Sequence, residues 1–291
     1  MTKKAMNIYV STGAFKSKSL KEVLDLASKN EIWNIELAPG LDYDPRTIEI
    51  LNDAKNEFAF LVHNYFPTPE KAFALNLASN NKEIERLSVG MCMEAIDICA
   101  ELRIPYYSVH CGFCFDTDGS ALGSREQIYL KRIPYEEAKC RFVANVNALC
   151  NYGKKKAVGI AIENNVAANF AKNDRQLLLG VDGEEIRELL YSIDSDNISF
   201  LMDLAHAKVS SNTYKFDLDK FIDETINYVK EVHVSENDGV SDQNIAITSE
   251  GYLYSKLSKY KNKTVTLEVY NLEIDEILSQ IRIVEEAISR G

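Results

Sequence analysis

The chain has four histidines in 291 residues, no uninterrupted apolar run approaching a membrane span, no second C-x-x-C pair, no G-x-G-x-x-G loop and no long cluster of Lys or Arg. Each absence excludes something. A membrane helix needs roughly 20 apolar residues, and behind the two lysines of the N-terminal MTKKAMNIYVSTG there is no apolar stretch of the kind a signal peptide carries. The expectation is a soluble, cytoplasmic protein with no membrane partner. With no basic cluster to offset it, a net charge of −11 and a pI near 5.0 repel phosphate backbones and argue against nucleic acid.

The six cysteines, in a long chain without a signal peptide, read as buried thiols rather than a disulfide framework. Cys111 and Cys114 form a C-x-x-C that could be a redox pair or half a zinc site. It lacks the second pair of a zinc ribbon and follows a strand rather than opening a helix, so loop thiols near a pocket are the expectation.

What is present is alternation. Hydrophobic residues are 46% and charged residues 26%, ample for a large core. Short β-branched and apolar runs, MNIYVST, WNIEL, FAFLVH, YYSVH, VGIAIE, ISFLMD, VKEVHV and TVTLEV, alternate with segments of helical period. The helices are expected at residues 19–30, 45–55, 82–102, 135–152, 183–192, 218–229, 252–260 and 273–290. In the third, Ile84, Leu87, Met91, Ala95 and Ile98 recur at steps of three and four behind an Asn80 or Asn81 cap. Eight βα units without a Gly/Ser-rich linker could form an open doubly wound sheet or a closed barrel. An open nucleotide-binding sheet would carry a Gly-rich first turn, whereas strand one is followed by STGAFKSKS. The fold class expected is therefore α/β, a single (β/α)₈ TIM barrel over residues 1–291. The long stretches 64–81 and 111–134 are expected to wall its pocket.

Every histidine falls at or just past the C-terminal end of an expected strand, or in what is read as the loop beginning there: His63, His110, His206 and His233. Glu36, Glu163, Asp203 and Glu268 occupy matching places. That rim is where barrel enzymes put their chemistry. Any one of these residues has a harmless reading; Glu36 in particular is expected to bond backbone at the rim. Eight ionisable groups in one funnel would be costly without a cation, so a bound divalent metal is the simplest compensation. An oxygen-rich set suits Mn²⁺, Mg²⁺, Co²⁺ or Fe²⁺, with Zn²⁺ retained as an option.

At LVHNYF, YYSVHCGF, IAIENN, LMDLAHAK, VKEVHVSEND and TLEVY, together spanning about two-thirds of the chain, the sequence resembles the xylose-isomerase-like barrel superfamily of sugar isomerases, ketose epimerases, dehydratases and apurinic endonucleases. The resemblance implies that Glu163, Asp203, His233 and Glu268 bind one metal. It further implies that Glu163 and Glu268 act as acid and base, and that His206 contacts a substrate oxygen; in the mechanism expected from this, His63 and His110 fix hydroxyls. The endonuclease branch adds a histidine in a D-x-H motif; here Asp242 and Asn244 stand near that place with no histidine, against DNA repair.

The activity so implied is a metal-dependent isomerase or epimerase acting on a sugar or sugar phosphate through an enediolate, with surface-glycan precursor metabolism as one setting. Two alternatives stay open: a multinuclear hydrolase or iron oxidase that also uses Asp238 and Asp242, and a non-catalytic sugar-binding barrel. Arg86, Arg125, Lys172 and Lys208 are candidates for a phosphate contact, and Tyr65, Phe66, Phe113 and Phe115 for an apolar wall.

Overall fold

The computed structural model describes residues 7–290. Eight parallel strands close on themselves in chain order: β1 (Ile8–Ser11), β2 (Asn34–Leu37), β3 (Ala59–His63), β4 (Tyr106–His110), β5 (Gly159–Glu163), β6 (Ile198–Asp203), β7 (Val229–Val234) and β8 (Thr264–Leu267). β1 pairs with β8, so no edge is left open. All eight expected strands are present; Met6, expected to open the first, lies outside the described residues. The fold is a TIM barrel.

The surrounding helices are α1 (Leu20–Lys29), α2 (Thr47–Ala54), α3 (Lys82–Leu102), α4 (Tyr135–Lys154), α5 (Gly183–Ser192), α6 (Leu204–Tyr214), α7 (Leu218–Thr225) and α8 (Ile274–Ser289). Local chemistry starts them where the sequence suggests. Asn81 Oδ1 accepts the amides of Glu83 and Ile84 at the head of α3, and Ser19 accepts that of Glu22 at the head of α1.

Two expectations are corrected. Residues Leu253–Tyr260 form a 3₁₀ segment rather than an α-helix, although their Leu253, Leu257 and Tyr260 are buried as a helical stripe would be. His206 lies in the first turn of α6, a helix the periodicity did not announce, and not in a loop.

Strand register positions the site. β4 and β5 pair with His110 opposite Glu163, β6 and β7 with Asp203 opposite His233, and β3 and β4 with His63 opposite Ser108. Side chains alternate along a strand, so Glu231 and His233 share the lumen face of β7; the Thr266 hydroxyl of the neighbouring β8 donates to Glu231 at 2.5 Å. The rest of the interior is a continuous apolar core between strands and helices. A smaller apolar cluster, built around Phe113, Phe115, Leu177, Leu178 and Tyr214, ties the loops above the rim together. Among the described residues no helix is long and apolar enough to cross a membrane.

Candidate functional site

Glu163 ends β5, Asp203 ends β6, His233 is the penultimate residue of β7, and Glu268 directly follows β8. These four side chains are buried, and each offers one ligand atom within 4.8 Å of the others. The local fold decides which atom is free. Asp203 is the N-cap of α6, where its Oδ1 accepts the His206 amide at 2.6 Å, a bond worth ~1 kcal/mol to the helix. Its Oδ2 is left buried with no hydrogen-bond partner, as are both oxygens of Glu163. Buried carboxylate oxygens without partners, converging with an imidazole nitrogen, are donors that could hold a divalent cation, and the residues fit such an ion.

Hydrogen bonds fix the imidazoles. His233 lies between two carboxylates, with Nε2 2.9 Å from Glu36 and Nδ1 3.1 Å from Glu268. Once Nε2–H donates to Glu36, Nδ1 presents its lone pair toward Glu163 and Glu268, a carboxylate–histidine pairing that typically orients a metal ligand. Glu36 is thus an interior partner of His233, not a rim residue bonding backbone. His63 Nδ1 donates to Ser108 Oγ at 3.1 Å, and that hydroxyl donates to the Val62 carbonyl. His63 Nε2 then faces Glu163 Oε2 at 3.3 Å, and His110 Nδ1 faces the same oxygen at 3.3 Å. His63, His110 and Glu163 therefore form a second group able to hold a cation, with Glu163 common to both.

His206 is oriented differently. Its Nδ1 donates to the Asn164 carbonyl at 3.0 Å, and its Nε2 stands 3.3 Å from Asp242 Oδ2. The paired asparagines after Glu163 act as latches. Asn164 exchanges two hydrogen bonds with the backbone of Asp203, and Asn165 donates to the carbonyls of Cys111, Gly112 and Leu179. Together they fix the tops of β4, β5 and β6 relative to one another.

The electrostatics follow from burial and the histidine–carboxylate contacts. Burial drives Glu163 well above the usual carboxylate range and, against the pull of nearby imidazoliums, brings Glu36 to about 8 and Asp203 to about 7. Glu268 goes the other way: burial would raise it, but His233, His63 and His206 outweigh that and hold it ionised. Burial lowers His63 and takes His110 down to about 3. His206 and His233 are also desolvated, yet the surrounding carboxylates keep both charged.

A cation entering the four-residue group must therefore displace protons from Glu163, from His233 and in part from Asp203. Raising the pH from 6 to 8 removes protons that compete with the metal, so apparent affinity is expected to rise across that window, with net proton release. Calorimetric titration of Mn²⁺ in buffers of different ionisation enthalpy measures both. A pH-independent affinity with no proton release would contradict this protonation pattern.

The other sequence candidates separate. Asp242 is at the mouth, but Asp238 is exposed and caps the turn through Val240 and Ser241, so it does not serve the rim. Arg86 pairs with Glu83 on the outside of α3, and Lys208 is bound to Glu236 and the Asn237 carbonyl. Tyr65 and Phe113 line the cavity above the rim, whereas Phe66 and Phe115 are packed inside. Cys111 and Cys114 are buried, and burial raises both thiols, Cys114 to about 12; neither is poised as a thiolate.

A closed barrel whose ionisable groups gather at the C-terminal mouth defines a class, and the sequence agrees with it: the profile of the xylose isomerase-like TIM barrel family matches residues 19–277. The chain belongs to that family. It is 24% identical over 245 residues to an uncharacterised protein of Methanocaldococcus jannaschii, covering 83% of this chain and 74% of that one. Among solved structures it is similar to a D-tagatose 3-epimerase-like protein (TM-score 0.75, 20% identity, 98% of each chain). It is also similar to D-psicose 3-epimerase of Clostridium cellulolyticum H10, solved with D-tagatose (TM-score 0.64, 16% identity, 98% of this chain and 92% of that one).

Proposed function

We propose that the chain is a divalent-metal-dependent sugar isomerase or epimerase, with Glu163, Asp203, His233 and Glu268 holding the metal and the two glutamates moving the proton. The observation that carries this reading is the convergence of these four buried side chains, with carboxylate oxygens left unpartnered. The kinship with sugar epimerases supports it. When bound, the cation supplies positive charge that polarises a carbonyl and acidifies the adjacent C–H.

The chain's own residues do the rest. Glu163, at the end of β5, and Glu268, just after β8, offer ligand atoms within 4.8 Å of one another. With the proton that burial keeps on Glu163 given up on metal binding, one glutamate takes a proton from a carbon held between them and the other returns one. His206 and His110 face the mouth, where a substrate hydroxyl would lie, and His63 backs Glu163.

Incubating the manganese-reconstituted protein with ketoses and their phosphates in D₂O tests this directly. One deuterium at the carbon beside the carbonyl, together with a new epimer or isomer, is the expected product. Absence of both exchange and conversion across the panel would defeat the proposal.

A second reading is favoured by one observation: His63 and His110 meet at Glu163 Oε2, and Glu163 also belongs to the four-residue group. His63, His110 and Glu163 would hold a second ion beside that of the four-residue group, and a pair of ions would supply the charge to activate water or dioxygen. Two metals per chain, with phosphodiesterase or oxidase turnover and no solvent exchange, would favour it.

A further inference from the structure

Above the rim lies a cavity of about 690 Å³ that shares His110 and Asp242 with the mouth. Pockets of roughly 300–1,000 Å³ commonly enclose drug-sized ligands. Away from the strand ends its apolar wall includes Tyr65, Phe73, Phe113, Leu122, Phe170 and Leu178, with Asn64, Gln127 and Ser241 among the polar residues that also line it. We infer that this cavity is a subsite for an apolar, flat substituent on the sugar, so that the preferred substrate is a keto sugar carrying such a substituent, for example an aryl-type glycoside with a keto group on its ring, rather than an unsubstituted sugar or a sugar phosphate. This deepens the isomerase reading and rests on it for the position of the sugar.

Three observations carry the inference. First, much of the wall's hydrogen-bonding capacity is already committed. The Asn165 amide is spent on three carbonyls, the Tyr65 hydroxyl accepts the Phe73 amide at 2.8 Å, and Asp242 faces His206. Sugar hydroxyls pressed against the rings would lose water without replacement, which is costly, whereas an aromatic group gains by leaving water.

Second, the wall is preformed. Phe113 and Leu178 belong to the smaller apolar cluster, with Phe170 packed against it. Tyr65 and Phe73 pack at 5.5 Å between ring centroids, and Phe113 and Phe115 at 4.8 Å. Close backbone approaches brace it: a Cβ at Gly112 would meet Ala78 Cβ at 2.4 Å, and one at Gly180, where φ is +67°, would meet Cys111 Sγ at 2.5 Å. Aromatic rings held in place along a cavity wall suit a flat apolar partner.

Third, the wall is poor in positive charge. Arg125 is the one cation among its lining residues, and it is exposed. Lys172 lies outside the lining, and Lys208 and Arg86 are paired elsewhere. A phosphate would find one solvated arginine.

The test is calorimetric binding to the manganese-reconstituted protein of 4-nitrophenyl α- and β-D-glucopyranosides and galactopyranosides, their methyl counterparts, and glucose 6-phosphate. At least one aryl glycoside is expected to bind about tenfold or more tighter than its methyl partner and than the phosphate. The preference should collapse in Phe170→Ala and weaken in the exposed Leu122→Ala, while surviving in Tyr191→Ala, an exposed aromatic outside the cavity. Equal affinities, no detectable aryl binding, or tightest binding of the phosphate would overturn the inference. Aryl preference without solvent exchange into any sugar would retain the subsite and remove the isomerase; exchange into free ketoses without aryl preference would do the reverse.

Discussion

Glu163→Gln is expected to abolish turnover, lowering the rate by about 10³-fold or more, and to weaken metal binding in the same protein. The combined effect follows from position. Glu163 has both oxygens buried without hydrogen-bond partners and faces four histidines, with His63 and His110 at one oxygen and His206 and His233 at the other. An amide there keeps the volume but removes the negative charge a cation needs and the group that exchanges a proton, and general acid–base catalysis alone contributes about 10²–10⁴-fold. Steady-state assays with a chelator-competition titration separate the two losses. A variant that binds metal and turns over like the wild type would remove Glu163 from the site.

The second large effect is expected from a residue that touches no substrate. Glu36→Ala should weaken metal affinity by about 10–100-fold, the usual cost of losing the partner of a ligating histidine, while Glu36→Gln, which still offers an oxygen to His233 Nε2–H, should recover most of it. The reason is the 2.9 Å contact that fixes which His233 nitrogen faces Glu163 and Glu268. If Glu36 merely fills the lumen, both variants will bind metal alike, and only thermal stability will separate them.

The barrel was legible because strand and helix periods alternate without a break, and because six strands, β2 to β7, end at the last residue of their expected runs. The mouth was legible for a related reason: rare, chemistry-bearing residues at strand ends must meet in a closed barrel, whatever the loops do. Where the reading failed, a local signal was missing. Helix α6 is buried on nearly every side and has no polar face, and its SSNT stretch has the composition of a turn, so period 3.6 is invisible there. Asp203 three residues before His206 was the one available clue, since an aspartate ending a strand can cap a helix that follows at once.

The partners inside the site were harder still. Glu36 and His233 are 197 residues apart, and their contact exists only because β2 and β7 face each other across the lumen. His63 and Ser108 meet through strand register, which the sequence of either strand alone does not specify. Asp238 and Asp242, four residues apart in one loop, are equivalent in sequence, yet one caps a turn in solvent and the other faces His206.

The most direct measurement is elemental mass spectrometry of protein purified without chelators and reconstituted with Mn²⁺, Co²⁺, Mg²⁺, Zn²⁺ or Fe²⁺, alongside His233→Ala. The expected result is about one divalent cation per chain in the wild type and little or none in the variant. No bound metal after reconstitution, or an undiminished content in His233→Ala, would contradict a cation held by Glu163, Asp203, His233 and Glu268.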